Sequence, residues 1–228
     1  KSRVKVQEIF ALFFDCLGES VVQHFCRIKS TIGVLSVYNE YRKDHNVNRK
    51  EAAMGRFLNP GNEAFAVALN SEIYVDKTGL LTYTNKVMNT LQGYICNSRP
   101  RRFGKSFAAN MLAAYYSKGC DSRKMFSGLA ISQTADFEKH LNQYDVIHLD
   151  IQWFLSNVSD PEQIVAYITE CTLAELRTIY ADQLPPEVST VPDALSRIKE
   201  ATGQKFVIII DEWDVLIRDE ASNQKNSG

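Results

Sequence analysis

The 228-residue chain carries 26 Lys and Arg against 27 Asp and Glu, a formal net charge of -1, and 45% of its residues are apolar. That balance supplies no basic field for nucleic acid over the chain as a whole, so a nucleic-acid partner is open but unsupported by net charge. It supplies enough apolar material for one large domain, or for one domain with an appendage.

No apolar run approaches the roughly 20 residues of a membrane-spanning helix, and no basic-then-apolar leader stands at the start. Cys16, Cys26, Cys96, Cys120 and Cys171 are widely spaced with no C-x-x-C pair. They read as the reduced thiols of a cytoplasmic protein, not as a disulfide framework or zinc site.

Residues 1–53 differ in pattern from the rest of the chain. Val6, Ile9, Phe10, Phe13 and Leu17 form a helical stripe, the stretch from Thr31 to Tyr38 suits a strand, and Arg42 to Glu51 is charged and linker-like. Two readings stand. In one the stretch is a small appendage packed on the main domain. In the other it is not native protein: Lys50-Glu51 before Ala52-Ala53-Met54 can be encoded by a purine-rich tract resembling a ribosome-binding site, with Met54 as the start. The second is preferred, which divides the chain into a 1–53 extension and a 54–228 domain.

Leu58 to Asn62 is a turn-rich entry, and Ala64 to Leu69 suits a short helix. The spacing then predicts a short strand from Glu72 into a polar turn at Gly79, and a helix from Thr82 to Leu91 ended by Gly93. Tyr94-Ile95-Cys96 reads as a buried strand. It leads through Ser98-Arg99-Pro100-Arg101-Arg102-Phe103-Gly104-Lys105-Ser106 into a helix with Phe107, Met111, Leu112 and Tyr115 on one face. Tyr144 to Ile151 reads as a second core strand. Asp160 can cap the next helix, with Pro161 in its first turn and Val165, Ile168, Thr172, Leu176 and Ile179 facing inward. A further helix runs from Pro192 to Ala201, stopped by Gly203. After it comes Phe206-Val207-Ile208-Ile209-Ile210, an unbroken apolar run of the kind found in a parallel strand covered on both faces.

Strand, tight loop ending Gly-Lys-Ser, then helix is the layout of a phosphate-binding P-loop. Backbone N–H groups at the helix start face an anion, and the helix dipole favours negative charge there. Gly104 lets the main chain approach phosphate oxygens, Lys105 can reach the β- and γ-phosphates, and the Ser106 hydroxyl can ligate Mg²⁺. Arg101, Arg102, Phe103 and Phe107 complete the expected nucleotide-binding set, the two arginines adding positive field. Against this, Gly-Lys-Ser recurs by chance, and Arg99 occupies the first-glycine slot of G-x-x-x-x-G-K-[ST]. Downstream, Asp211 and Glu212 come directly after the apolar run, where ligands bind in open α/β sheets. In a Walker B reading Asp211 holds Mg²⁺ and Glu212 orients or deprotonates the attacking water. Glu212 and Lys105 are then the catalytic pair.

Other residues admit plainer roles. Asp76 and Lys77 suit either a nucleotide's base pocket or a turn aspartate beside a solvated lysine. Asp150 is a candidate beyond the metal's direct ligands. His148 reads as a core residue, Asp214 as a cap for a following turn, and Trp153 and Trp213 as packing groups.

With these residues assembled, the stretch from Met54 onward resembles a bacterial family of AAA-ATPase-like proteins. The resemblance rests on Tyr74-Val75-Asp76-Lys77-Thr78, on Ser98 to Ser106, and on the strand ending Asp211-Glu212. It explains Arg99, since the family's loop lacks the first glycine. It implies a P-loop NTPase fold, three-layer α/β/α with a mainly parallel sheet, and ATP with Mg²⁺ as ligands. It also implies that the core is incomplete at its C-terminus, lacking the strands expected after Walker B. Self-association, or a nuclease-like domain in full-length relatives, is a further expectation. Without later strands, Phe206 to Ile210 is expected at a sheet edge. The leading expectation is a nucleotide-driven ATPase module; a non-hydrolysing switch or a degenerate fragment in a defence or signalling assembly is the alternative.

Overall fold

The computed structural model describes residues 7–10, 12, 31–34, 55–90, 92–98 and 103–216. Four strands form one sheet: β1 (Thr31–Val34), β2 (Ile95–Ser98), β3 (Asp145–Asp150) and β4 (Phe206–Asp211), in the order β2-β1-β4-β3. β3 and β4 are parallel, with Asp145 opposite Phe206 and Asp150 opposite Asp211. β1 is antiparallel to both its neighbours, so β2, β4 and β3 share one direction and β1 runs against them.

β4 is apolar from Phe206 to Ile210 because both its faces are covered. Phe206, Ile208 and Ile210 join one buried cluster, with Ile147 and Leu149 of β3. Helices α6 (Ile151–Ser156), α7 (Ile164–Ile179) and α8 (Val191–Thr202) supply its outer wall through Phe154, Ile168, Leu176, Ala194 and Ile198. Val207 and Ile209 join the opposite cluster, with Val146. That face is covered by α1 (Glu63–Leu69), α2 (Gly79–Val87), α3 (Lys105–Tyr116), α4 (Arg123–Phe126) and α5 (Phe137–His140). Helices on each side of a sheet with three co-directional strands make this an α/β arrangement. Each fully buried Ile or Val of β4 contributes about 1.5–3 kcal/mol relative to exposure.

α3 is the central helix of the second layer. Ala108, Ala109, Ala113 and Ala114 are all buried, and such small side chains let the helix lie close to the sheet. Its far end is fixed by hydrogen bonds. The Tyr116 hydroxyl donates to Asn85 Oδ1 at 2.7 Å, and the Tyr115 hydroxyl donates to the Phe137 carbonyl at 2.9 Å.

The outer edge of β3 is covered by residues 57–59. His148 N–H donates to the Phe57 carbonyl at 2.8 Å, and Asn59 N–H to the Val146 carbonyl at 2.7 Å. Asn59 adopts φ 52°, which turns its side chain inward to accept from Val146 N–H at 2.9 Å and donate to Asp145 at 2.7 Å. Glu175 of α7 holds this segment by accepting from the N–H groups of Arg56, Phe57 and Leu58.

Three expectations need correction. β4 is not an edge strand: β1 pairs with it on one side and β3 on the other. Glu72 to Gly79 forms no strand, because the backbone N–H of Thr78 is claimed by the Asp76 carboxylate at 2.8 Å and Gly79 already begins α2. Finally, α7 starts later than the Asp160 cap implies. The Asp160 carboxylate accepts from Glu162 N–H at 2.8 Å and caps a 3₁₀ turn, Pro161–Gln163, that precedes the helix.

Within residues 1–53, Thr31–Val34 pairs with both β2 and β4, and Ile9 and Phe10 are buried in the cluster under α6–α8. These described residues fit a segment packed on the domain. Cys16, Cys26 and the charged stretch from Arg42 to Glu51 lie outside the described residues.

Candidate active site

The loop after β2 delivers the chain to the N-terminus of α3. Gly104, the last loop residue, adopts φ 74° and ψ 40°. A side chain in that left-handed conformation costs about 1–2 kcal/mol, so glycine is the residue the turn requires. The first helical hydrogen bond runs from Ala108 N–H to the Gly104 carbonyl at 3.1 Å, and the N-cap position, a glycine, brings no capping side chain of its own. First-turn N–H groups of a helix have no intrahelical acceptor, and the dipole's positive end lies with them. A helix start left in this form attracts an anion.

β4 brings its acidic end to the same place. Asp211 is buried, with the Ser106 hydroxyl within hydrogen-bonding reach and Glu212 N–H donating to its Oδ1 at 2.9 Å. Burial pushes the Asp211 carboxyl above the usual carboxylate range, against the opposing pull of Ser106, His148 and the Glu212 N–H. Burial also raises Glu212, helped by the neighbouring Asp211 charge and opposed by the Lys105 ammonium. Lys105, only 5% exposed, is therefore within electrostatic reach of Glu212. Glu212 adopts φ 52°, a left-handed conformation unusual for a non-glycine residue.

The structure brings Lys105 and Ser106, which follow Gly104, close to Asp211 and Glu212. Phe107 takes a narrower part. Its ring packs against Phe65 and Tyr74, each with centroids 5.8 Å away. Phe103, directly before Gly104, is exposed. Arg101 and Arg102, with Arg99, lie outside the described residues.

Asp150, opposite Asp211 on β3, caps α6 by accepting from Trp153 N–H at 3.2 Å. His148 is half-buried near Asp211 and Asp150, and desolvation pushes its imidazole below the usual range while the two carboxylates pull it up. Its Nε2 is buried with no hydrogen-bond partner among the described residues. Trp213, after Glu212, is buried with its ring edge-on to Phe10 at 5.8 Å.

Lys77, whose role is ambiguous in the sequence, is located by the structure. Its ammonium donates to the Phe103 carbonyl at 3.2 Å, just before the start of α3. The legible signal is the pair flanking it, since Asp and Thr two residues apart form a side-chain-to-backbone turn that fixes the residue between them.

Among the described residues no group of three or more His, Cys, Asp or Glu side chains is placed to hold a metal alone. A hydroxyl and one carboxylate are nonetheless the donors Mg²⁺ uses when phosphate oxygens and waters complete its shell. Among the described residues no helix is long and apolar enough to cross a membrane.

A family model described as Predicted AAA-ATPase matches residues 63–227. Comparisons with curated proteins and with solved structures gave no match.

Proposed function

The chain belongs to the predicted AAA-ATPase family, and on that premise we propose that it binds Mg-ATP between the start of α3 and the end of β4 and hydrolyses it. The observation that supports this most is the approach of Ser106 to Asp211, with Lys105 acting on Glu212. Two segments distant in sequence bring a cation, a hydroxyl and two carboxylates to a helix start whose N-cap is a glycine. That set matches the needs of phosphoryl transfer, which depends on charge neutralisation and positioning more than on covalent chemistry.

In this reading Lys105 and the first-turn N–H groups bind phosphate oxygens. Ser106 and Asp211 hold Mg²⁺, which when bound supplies charge neutralisation across the phosphates. Glu212, its carboxyl raised towards the working range of a general base, orients and deprotonates the attacking water. The wider scaffold belongs to the same proposal: a P-loop NTPase three-layer core in which β2 supplies the loop and β4 the acidic residues. Hydrolysis is inferred to drive conformational change through the segment after Glu212, where Trp213 meets Phe10.

The test is thermal unfolding. Ligand at a hundred times its dissociation constant stabilises by about 2.7 kcal/mol, a rise of roughly 5–10 °C for a chain of this size. Mg-ATP should produce that rise in the wild type and none in Lys105→Ala. Equal shifts in the two would remove Lys105 from the site.

A further inference from the structure

The stretch Tyr74-Val75-Asp76-Lys77-Thr78 forms neither strand nor helix before Thr78, yet its polar side chains are tightly engaged. Asp76 accepts from Thr78 N–H at 2.8 Å and from the Thr78 hydroxyl at 2.7 Å. The other Asp76 oxygen accepts from Ala130 N–H at 2.8 Å, and the Thr78 hydroxyl accepts from Ile131 N–H at 3.1 Å. Burial alone would raise the Asp76 carboxyl, but these hydrogen bonds together hold it below the usual carboxylate range. Tyr74 anchors the other end against the Phe107 ring, at 5.8 Å between centroids. Asp76, Thr78 and Tyr74 thus clamp the backbone on either side of Lys77.

The clamp aims Lys77 at the phosphate loop. Its Nζ donates to the Phe103 carbonyl at 3.2 Å and lies 5.3 Å from the centre of the Phe107 ring. A methyl group on Gly104 would stand 2.4 Å from that Nζ, so the ammonium lies directly over the bare glycine backbone. An ammonium has three donors, and the carbonyl takes one.

We propose that Lys77 is a second phosphate-binding cation, presented by the Asp76–Thr78 clamp to the bound polyphosphate over Gly104. This rests on the Mg-ATP reading above. Lys105 approaches from within α3, whereas Lys77 comes from a separate segment held by the 3₁₀ turn Ala130–Gln133. Two cations from independent elements share the polyphosphate charge, and Gly104 is the gap through which the second one reaches it. Lys77 then binds ligand, rather than only shaping the loop through Phe103.

The experiment measures equilibrium binding of ATP, ADP and AMP, each with Mg²⁺, to the full chain and to Lys77→Met, Lys77→Arg and Lys105→Ala. Loss of a charge-assisted hydrogen bond predicts roughly a 10- to 100-fold weaker ATP affinity in Lys77→Met. The loss should be smaller for ADP, smallest for AMP, and largely restored in Lys77→Arg. Unchanged ATP affinity in Lys77→Met, alongside loss in Lys105→Ala, overturns the role of Lys77 and leaves the Mg-ATP reading standing. An equal loss for all three nucleotides makes Lys77 a brace for the loop and also overturns it. Absence of binding by the wild type overturns both. Unaltered melting of unliganded Lys77→Met establishes that the comparison concerns folded protein.

Discussion

Ser106, in the first turn of α3, lies within hydrogen-bonding reach of Asp211, at the last position of β4. The contact joins the two segments that supply the cation and the carboxylates, and it is made by a buried acid whose ionised form is disfavoured by its surroundings. Stability and ligand binding therefore oppose each other at this residue. Asp211→Asn should raise the melting temperature of the unliganded protein while weakening Mg-dependent ATP binding by about tenfold or more, as loss of a charged metal ligand does. The pH effect has a definite sign. Because the folded carboxyl titrates above its unfolded value of about 3.9, the native state holds the proton more tightly. Its contribution to stability is then greatest at low pH and is lost as pH rises through the folded value. Calorimetry of the wild type and Asp211→Asn across that range checks both parts, and a lower melting temperature for the variant at neutral pH would contradict the argument.

Gly33 of β1 stands opposite Cys96 of β2 on one side and Ile210 of β4 on the other. The loop-bearing strand and the acid-bearing strand are thus linked through β1. Proline in a central strand removes a ladder donor, so Gly33→Pro should cost on the order of 2–3 kcal/mol. The cost should appear as a lower melting temperature together with weaker ATP binding, because β2 and β4 lose their common partner. Unfolding by urea with ATP titration on the same samples measures both. A variant that melts and binds like the wild type would show that β1 carries no part of the sheet in solution.

The contrast between β1 and β4 explains what the sequence could and could not reveal. β4 was legible because its information is local: five consecutive apolar residues need cover on both faces, and the acidic pair marks the strand's end. Gly104-Lys105-Ser106 was legible for the same reason. Thr31–Val34 has strand propensity that reads plainly, but its place between β2 and β4 depends on partners more than sixty residues away, which no local pattern encodes. Counting only strands later in the chain as its neighbours leaves β4 at an edge, whereas β1 pairs with it. The Glu72 to Gly79 stretch failed in the other direction. Ile73 and Val75 alternate with polar neighbours as in a strand, yet both are exposed, and side chains of Asp76 and Thr78 take the hydrogen bonds a ladder would have used. Lys77 is ambiguous in the sequence, since a lysine's role lies in where its neighbours aim it.

Asp145, at the start of β3, is fully buried and accepts from Asn59 Nδ2 at 2.7 Å, Lys118 Nζ at 2.6 Å and the Tyr180 hydroxyl at 2.5 Å. It lies at the opposite end of the strand from Asp150, and its work is structural. Breaking a buried ion pair from one side costs about 3–5 kcal/mol, because the remaining groups stay desolvated. Asp145→Ala should accordingly lower the melting temperature by roughly 10 °C. Below that temperature its affinity for Mg-ATP should match the wild type. A selective loss of ATP affinity without thermal destabilisation would place Asp145 in the site instead.

Glu212 combines two costs that a purely structural residue would not retain. Its φ of 52° places a side chain in the left-handed region, and its carboxyl is raised by burial and by Asp211. Left-handed backbone costs a non-glycine residue about 1–2 kcal/mol. Glycine would relieve both costs, at an entropic penalty of about 0.5–1 kcal/mol for its extra freedom in the unfolded chain. Glu212→Gly should therefore melt at or above the wild-type temperature. Glu212→Gln keeps the strained backbone but removes the charge, so it separates the two contributions. In the proposed mechanism both variants lose the group that positions and deprotonates water, so each should release phosphate from ATP about 100- to 1,000-fold more slowly. ATP binding should persist in both, since Lys105, Ser106 and Asp211 are untouched. Phosphate release, nucleotide binding and melting measured on the three proteins test every part. Hydrolysis in Glu212→Gln at the wild-type rate would show that another group activates the water, and a Glu212→Gly protein less stable than the wild type would show that the left-handed backbone is not strained.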